Sequence, residues 1–260
     1  MTLQSRSELK TAKRIVVKVG SSSISGANEG QIDLLADALA QAHARGQEVI
    51  LVSSGAIATG MPLLNLESKP DDLPTSQALA AVGQSRLISK YQHSLERFEI
   101  IVGQVLLTLG DIEVEETRIN AKNAIDRLVS LKVLPIVNEN DTVATAEIRF
   151  GDNDRLAALV ATIVQADALV MLSDVDALYD MPPSKPGAKR ISDVAFGTSL
   201  DQIEIGGTST GYGTGGAVTK VGAAKIAADN GIAVLLTSTP NVAHALNGQD
   251  VGTWFEPRAE

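Results

Sequence analysis

The chain has 260 residues, 44% of them hydrophobic, and a formal net charge of −9 at neutral pH. This length fits one large α/β domain or two small ones, and the acidic balance argues against a nucleic-acid surface, which normally carries a basic face. Cysteine is absent, which excludes disulfides and thiolate metal sites. No apolar run approaches the roughly 18 residues of a membrane span, and the polar N-terminus lacks the apolar core of a signal peptide. We therefore expect a soluble cytoplasmic protein that binds neither nucleic acid nor a membrane.

The first predicted strand, over residues 14–19, carries a lysine in an otherwise apolar run and ends in a Gly-Ser turn. A lysine inside a buried strand is costly unless it is paired or faces a ligand. Beside the free N–H groups of Gly20 and Ser21, Lys18 is therefore a candidate phosphate ligand. The alternative is an edge-strand lysine that faces water.

A helix is predicted over residues 31–45, and a second strand over 48–52 ends in another turn of small residues. This turn contains Ser54 and Gly55 and opens a further helix. The start of a helix leaves unpaired N–H groups and a positive dipole end, which favour anions.

A long helix is predicted from residue 75 or 76 to about residue 98, after a loop over residues 61–75. This helix contains Gly83, and a glycine in a helix interior costs about 1 kcal/mol relative to alanine. Gly83 therefore indicates close packing, with a subunit contact as one source of it. A third strand over 100–107 and a helix over 115–131 follow.

The chain then carries two polar clusters that bracket a ten-residue stretch over 142–151. The first, residues 138–141, follows an apolar strand over 133–137, and the second, residues 151–154, opens a helix that reaches about residue 164. Polar groups at the carboxyl end of a strand and the amino end of the next helix are where open α/β sheets bind ligands. Turn and cap chemistry would explain one such cluster, because Asn and Asp favour both. The presence of two such clusters favours a ligand-binding site.

The last part of the chain continues the alternation of strands and helices. Its predicted elements are a strand over 168–172 that ends at Ser173 and Asp174, a loop over 181–189, a glycine-rich loop over 206–216, a helix over 217–230 and strands over 232–236 and 252–255. Alternating strands and helices predict a mostly parallel sheet covered on both faces. We expect a single domain over 1–260 with two lobes, about 1–165 and about 166–260, whose polar strand ends face a shared cleft.

Residues 211–216 match the dinucleotide pattern G-x-G-x-x-G, but they follow no clear strand and lack an acidic residue about 20 positions onward. The Rossmann interpretation is therefore rejected, and the sequence contains no P-loop pattern. The histidines at 43, 93 and 244 lie far apart and outside the motifs, which argues against a histidine base or metal site.

A phosphotransferase without a base makes chemical sense if the nucleophile is a carboxylate, which is ionised at neutral pH because its pKa is about 4. The remaining task is to bring two anions together and stabilise the transferring phosphoryl group with lysines, backbone donors and Mg²⁺. Lys18 and Lys220 suit this task, with Asp154 holding both ammonium groups. The alternative for Asp154 is an acidic residue that only stabilises the start of its helix.

Five motifs together resemble the amino acid kinase family over nearly the whole chain. They are residues 53–58 (SSGAIA), 81–86 (AVGQSR), 137–141 (VNEND), 151–154 (GDND) and 213–216 (GTGG). The polar clusters at 138–141 and 151–154 resemble most closely the members that phosphorylate the γ-carboxylate of L-glutamate with ATP, the first step of proline synthesis. The resemblance implies a three-layer αβα sandwich with a mostly parallel central sheet.

The resemblance also implies site residues by matching position. The catalytic group would be Lys18, Lys220 and Asp154. The glutamate-binding residues would be Ser54, Gly55, Asp141, Asp152 and Asn153. The ATP-binding residues would be Lys18, Gly20, Ser21, Ser173, Asp174, Thr214, Gly215, Gly216, Ala217, Val218, Thr219 and Lys220. Ser173 and Ala217 stand where better-known members carry Thr and Met, which leaves the nucleotide interpretation intact.

The family further implies Mg²⁺ held mainly by the ATP phosphates, with no protein metal ligand assigned. It implies a homo-oligomer, a dimer or a tetramer, and feedback inhibition by proline in a pocket that overlaps the glutamate site. It also suggests coupling to a glutamyl-phosphate reductase. Many bacterial members carry a C-terminal PUA domain, and we expect this chain to be the form without one.

Two other functions stay open at this point. One is a kinase of the same family for another carboxylate or phosphate acceptor, such as N-acetylglutamate, carbamate or UMP. The other is a sensor that binds proline or glutamate without catalysis. The presence of Lys18, Asp154 and Lys220 argues against a sensor, which has no use for phosphoryl-transfer groups.

Overall fold

The protein is organised around an eight-stranded sheet. The computed structural model describes residues 2–68, 70–144, 153–200 and 217–259. The strands are β1 (Arg14–Val19), β2 (Glu48–Val52), β3 (Val102–Leu107), β4 (Leu134–Glu139), β5 (Ala168–Ser173), β6 (Leu178–Tyr179), β7 (Arg190–Ile191), β8 (Asp193–Val194), β9 (Ala233–Ser238) and β10 (Thr253–Phe255). The α-helices are α1 (Gln31–Ala44), α2 (Ala56–Leu63), α3 (Leu73–Glu96), α4 (Leu109–Glu113), α5 (Glu115–Ser130), α6 (Asn153–Ile163), α7 (Ala217–Asp229) and α8 (Val242–Leu246). Short 3-10 helices occupy Arg6–Thr11, Ser21–Ser23, Gly26–Asn28 and Thr239–Asn241.

The sheet has the strand order β3-β4-β2-β1-β5-β9-β10-β8. The first six strands of this order are parallel, β10 runs antiparallel to β9, and β8 is parallel to β10. The predicted mostly parallel sheet is therefore confirmed. β1 lies in the middle, with Lys18 level with Val52 of β2 and Met171 of β5. The lobe boundary near residue 165 stays a prediction.

Helices cover both faces of the sheet. Ile15 and Val17 of β1 belong to a core cluster with residues of α1, α3 and α8, whereas Val16 belongs to a cluster with α5, α6 and α7. Because successive strand residues point to opposite faces, one apolar strand contributes to both cores. This arrangement is the three-layer αβα sandwich predicted from the sequence.

The end of β4 differs from the prediction. Asn138 and Glu139 were assigned to the turn after the strand, but they belong to β4 and lie level with Leu106 and Leu107 of β3. β4 lies between β3 and β2, and its pairing with β3 continues past the apolar residues, so these polar residues stay in the ladder. Both are buried, with exposed fractions of 1% for Asn138 and 7% for Glu139.

The loop between α2 and α3 is shorter than predicted, because α2 runs to Leu63 and α3 begins at Leu73. The cap of α3 is Asp72, whose carboxylate accepts a hydrogen bond of 2.8 Å from the Thr75 N–H. A proline in the first turn fits such a start, because its missing N–H would have no partner there.

The close packing predicted at Gly83 is confirmed, and its partner is α2 of the same chain. A Cβ built on Gly83 would lie 1.8 Å from the Ala56 carbonyl oxygen and 2.6 Å from the Gly60 nitrogen. α3 therefore crosses the first turn of α2 at backbone contact. In the part of the chain that the structure describes, no helix is both long and apolar enough to span a membrane.

Candidate active site

Two buried lysines share one buried aspartate at the carboxyl edge of the sheet. Lys18 from β1 forms an ion pair with one carboxylate oxygen of Asp154, at the start of α6. Lys220, in the first turns of α7, donates a hydrogen bond of 3.2 Å to the other oxygen. The Asp154 side chain is 0% exposed, against 4% for Lys18 and 10% for Lys220. Buried charges need such partners, and the three groups together carry a net charge of about +1.

Thr219 adds a hydroxyl group to this cluster. The Thr219 hydroxyl lies 3.4 Å from the Asp154 oxygen that accepts from Lys220, in donor geometry. Thr219 was predicted to bind ATP, and in the structure its hydroxyl is directed at the aspartate. The neighbouring Val218, also predicted at the nucleotide site, is 69% exposed.

The turns after β1 and β2 lie side by side. A Cβ on Gly55 would be 3.5 Å from Ser21, and a Cβ on Gly20 would be 3.8 Å from the Lys18 ammonium nitrogen. Gly55 has a φ of +100°, a conformation that favours glycine, and it precedes the first residue of α2. The structure therefore brings two N–H-rich turns together next to Lys18, as expected where parallel strands end at one edge.

The amide of Asn153 connects α6 to the end of β2. Its Nδ2, which has two N–H donors, lies 2.7 Å from the Ser53 carbonyl oxygen, 2.7 Å from Asn138 Oδ1 and 3.0 Å from Ser54 Oγ, so the bond to Ser54 shares a hydrogen with one of the two shorter ones. The Asn153 Oδ1 atom is buried and has no hydrogen-bond partner among the described residues. A buried acceptor without a partner is costly, so this atom is a candidate acceptor for a ligand N–H.

Three residues that support this amide were not among the predicted site residues: Gln84, Asn138 and Tyr91. Gln84 of α3 accepts a hydrogen bond of 2.7 Å from Asn138, and Tyr91 of α3 lies 2.9 Å from Ser53 Oγ. Gln84 and Asn138 fall inside two of the motifs recognised in the sequence, which was a usable signal. Tyr91 gave none, because it stands on the buried face of a helix like any core aromatic. Burial raises the pKa of Tyr91, so its phenol stays protonated.

The remaining predicted residues fall into two groups. Ser173 ends β5 and donates a hydrogen bond of 3.0 Å to the exposed Asp174, and Asp141 follows β4 in a half-buried position. Asp152, Thr214, Gly215 and Gly216 lie outside the described residues, as does the glycine-rich loop, and Ala217 opens α7.

The arrangement combines a pair of buried ammonium groups with a buried amide acceptor. Two ammonium groups and two N–H-rich turns meet at the carboxyl edge of the sheet, a combination that attracts phosphate. The buried amide acceptor and the Ser54 hydroxyl lie on the β2 side of the same edge. Among the described residues, no group of three His, Asp or Glu converges as a metal site would require.

The comparisons with known proteins agree with this chemistry. Residues 13–238 match the model of the amino acid kinase family. The chain is 65% identical to the glutamate 5-kinase of Clavibacter sepedonicus, with 100% of both chains covered. It is 61% identical to the glutamate 5-kinase of Leifsonia xyli subsp. xyli, covering 100% of this chain and 97% of that one.

A more distant relative and a solved structure extend the likeness. The glutamate 5-kinase of Streptomyces avermitilis is 52% identical over 97% of this chain and 69% of its own length. The fold resembles the carbamate kinase from Giardia lamblia bound to AMP-PNP, with a TM-score of 0.68, 18% identity, and 96% of this chain and 100% of that chain covered. The family match and the full-length relatives show that this chain is a kinase that belongs to the amino acid kinase family.

Proposed function

We propose that the protein transfers the γ-phosphoryl group of ATP to the γ-carboxylate of L-glutamate, the first step of proline biosynthesis. The observation that carries the proposal is the pair of lysines on Asp154. Two ammonium groups held by one buried carboxylate are fixed in place before any substrate arrives, which is how preorganised charge lowers a barrier.

The reaction would need no general base. The attacking γ-carboxylate is already ionised, since a glutamate side chain has a pKa of about 4.3. Lys18 and Lys220 would bind the phosphoryl oxygens and offset the repulsion between the two anions, and Asp154 would orient both lysines. The absence of a histidine from this cluster in the described residues agrees with that chemistry.

The amino-acid substrate would lie on the β2 side of the cleft. Ser54 and Gly55 offer a hydroxyl and a helix start for its carboxylates, and Asn153 Oδ1 offers an acceptor for its ammonium group. Asp141, which follows β4, would add a negative charge that the ammonium group favours. Asp152 is proposed in the same role from its position in the sequence.

ATP would lie toward β5 and α7. Gly20, Ser21, Ser173, Asp174 and the residues 214–220 are proposed to bind it. Mg²⁺, when bound with ATP, would neutralise phosphate charge. The donor set fits a cation held mainly by phosphates and water, because Asp154 is engaged by two lysines and Asp174 is one exposed carboxylate.

The proposal also covers inhibition by proline, the oligomeric state and a partner enzyme. Proline would compete with glutamate, because a secondary ammonium group also donates N–H bonds to the Asn153 side of the cleft. A cytoplasmic homo-oligomer and transfer of the acyl phosphate to a glutamyl-phosphate reductase are proposed from family membership.

The test is turnover of Mg-ATP and L-glutamate in hydroxylamine, which traps an acyl phosphate as a hydroxamate. Glutamate should be preferred by orders of magnitude over aspartate, N-acetylglutamate, carbamate and UMP. Lys220→Ala should lose about 10²–10³-fold in turnover, because it removes a charge that stabilises the transition state, while L-glutamate still binds by calorimetry. Wild-type turnover in that variant, or a preference for another acceptor, would refute the proposal.

A further inference from the structure

Hydrogen bonds to backbone groups determine which atom is the oxygen and which is the nitrogen in the side-chain amides of Asn153 and Asn138. The Ser53 carbonyl can only accept, so the Asn153 atom 2.7 Å from it is the nitrogen. The Glu139 N–H can only donate, so the Asn138 atom 2.9 Å from it is the oxygen. That same Asn138 oxygen accepts from Asn153 at 2.7 Å. The amides of Asn138 and Asn153 are therefore oriented the same way along this series of hydrogen bonds. Asn153 Oδ1 faces away from the Ser53 carbonyl and from the Asn138 amide.

Gln84 completes this chain of amides from a different element. Since Asn138 uses its oxygen for Glu139 and Asn153, its nitrogen must donate, and it does so to Gln84 Oε1 at 2.7 Å. The relay Gln84–Asn138–Asn153 thus joins α3, β4 and α6. All three residues are buried, with exposed fractions of 9% for Gln84, 1% for Asn138 and 8% for Asn153.

We propose that Gln84 is a positioning residue that determines recognition of the substrate's α-ammonium group, through Asn138 and Asn153. The inference rests on the proposed function, because it assumes an amino-acid substrate in this cleft. Without the Gln84 oxygen, the buried Asn138 nitrogen has no acceptor among the described residues and its side chain rotates to find one. That rotation withdraws one of the acceptors that hold the Asn153 nitrogen, which leaves the Ser53 carbonyl and Ser54 Oγ, and Asn153 Oδ1 is then aimed less accurately at the ligand.

The separating experiment compares two ligands that differ by the amino group, L-glutamate and glutarate, in calorimetric titrations. Gln84→Met retains the volume and removes the acceptor, and we expect it to weaken L-glutamate binding about tenfold, as loss of one hydrogen bond to a charged group would. Glutarate binding should change less than about threefold. Gln84→Glu, whose carboxylate still accepts from Asn138, should bind both ligands within about threefold of wild type.

Gln92→Met is the matched control. Gln92 lies on the same helix and its amide bonds the backbone of residues 100 and 102, at the start of β3, rather than the relay. It should lower the melting temperature without changing the ratio of L-glutamate to glutarate affinity. If Gln84→Met does not fold, Gln84→Ala removes the same acceptor without bulk and carries the same expectation.

Equal losses for both ligands in the Gln84→Met protein, or no loss for L-glutamate, would overturn the positioning role while leaving the kinase intact. A wild-type protein that binds no L-glutamate overturns the proposed function itself, and the inference with it. A tenfold loss confined to L-glutamate and rescued by Gln84→Glu supports the inference, because a packing defect would not distinguish ligands by their amino group.

Discussion

Gly83→Ala should have two opposite effects on the stability of the folded protein. Alanine is the better helix former by about 1 kcal/mol, so a free position in α3 would gain stability. At Gly83, however, the added Cβ would lie 1.8 Å from the Ala56 carbonyl oxygen, 2.8 Å from its carbon and 2.6 Å from the Gly60 nitrogen. All three are backbone atoms of α2, so no side-chain rotation relieves the contact.

The cost of the steric clash should exceed the gain in helix propensity. Overpacking a rigid contact costs typically about 1–3 kcal/mol and occasionally more, and here the whole of α2 must move by about 1 Å or more. The contact is with backbone atoms, so we take the upper end of this range, about 3 kcal/mol, and expect a net loss of about 2 kcal/mol after the helix propensity of about 1 kcal/mol is subtracted. At about 2–4 °C per kcal/mol for a chain of this size, the melting temperature should fall by about 4–8 °C.

Gly222→Ala is the control for the same chemical change. Gly222 lies inside α7, is exposed, and would place its Cβ more than 4 Å from every described atom outside its own helix. At that position the substitution changes only the helix propensity, so the melting temperature should rise by about 2–4 °C.

Scanning calorimetry of both variants beside the wild type measures the two shifts. Because α2 begins next to Gly55, Gly83→Ala should also raise the KM for L-glutamate more than the KM for ATP. A Gly83→Ala protein that melts at or above the wild-type temperature would refute the packing argument, whatever its activity.

Two further substitutions test the buried groups at the site. Asp154→Asn removes the buried carboxylate that Lys18 and Lys220 share, and the loss of its charge should cost about 3–5 kcal/mol in urea unfolding; a wild-type midpoint would contradict this. Burial raises the pKa of Tyr91, so the unfolded chain ionises this phenol above about pH 10 while the folded protein keeps it protonated. The stability from the neutral phenol is therefore complete below about pH 10 and is lost as the pH rises further. Tyr91→Phe should lower the free energy of unfolding by about 1 kcal/mol at about pH 8, because the hydrogen bond to Ser53 is missing. Between about pH 8 and about pH 11 the free energy of unfolding should then fall less in this variant than in the wild type. Equal falls in the two proteins would contradict the assignment.

Much of the fold could be predicted because its signals are local. An apolar run bounded by small or polar residues specifies a buried parallel strand, and the alternation with helices specifies a sheet covered on both faces. The predicted strand over 168–172, for example, is β5 to within one residue. Errors occurred at element ends, as at Asp72, where a side-chain cap rather than periodicity sets the start of α3.

The candidate site was predictable where chemistry marks single residues. A lysine in a buried strand and polar clusters after strands are unusual enough to stand out, and the structure brings Lys18, Asp154 and Lys220 into one cluster. Asn153 was predicted as a ligand residue from its position, and whether it binds substrate stays a prediction.

Sequence alone determined which strand ends carry polar groups, because a run of a few residues encodes each of them. Only the tertiary structure decided how those groups support each other. Gln84 and Asn138 are separated by 54 residues, and Asn153 and Ser53 by 100, so no periodicity links them. Which amide faces which, and which oxygen is left without a partner, depends on three elements meeting at one sheet edge, and that meeting is set by packing of both cores over the whole chain.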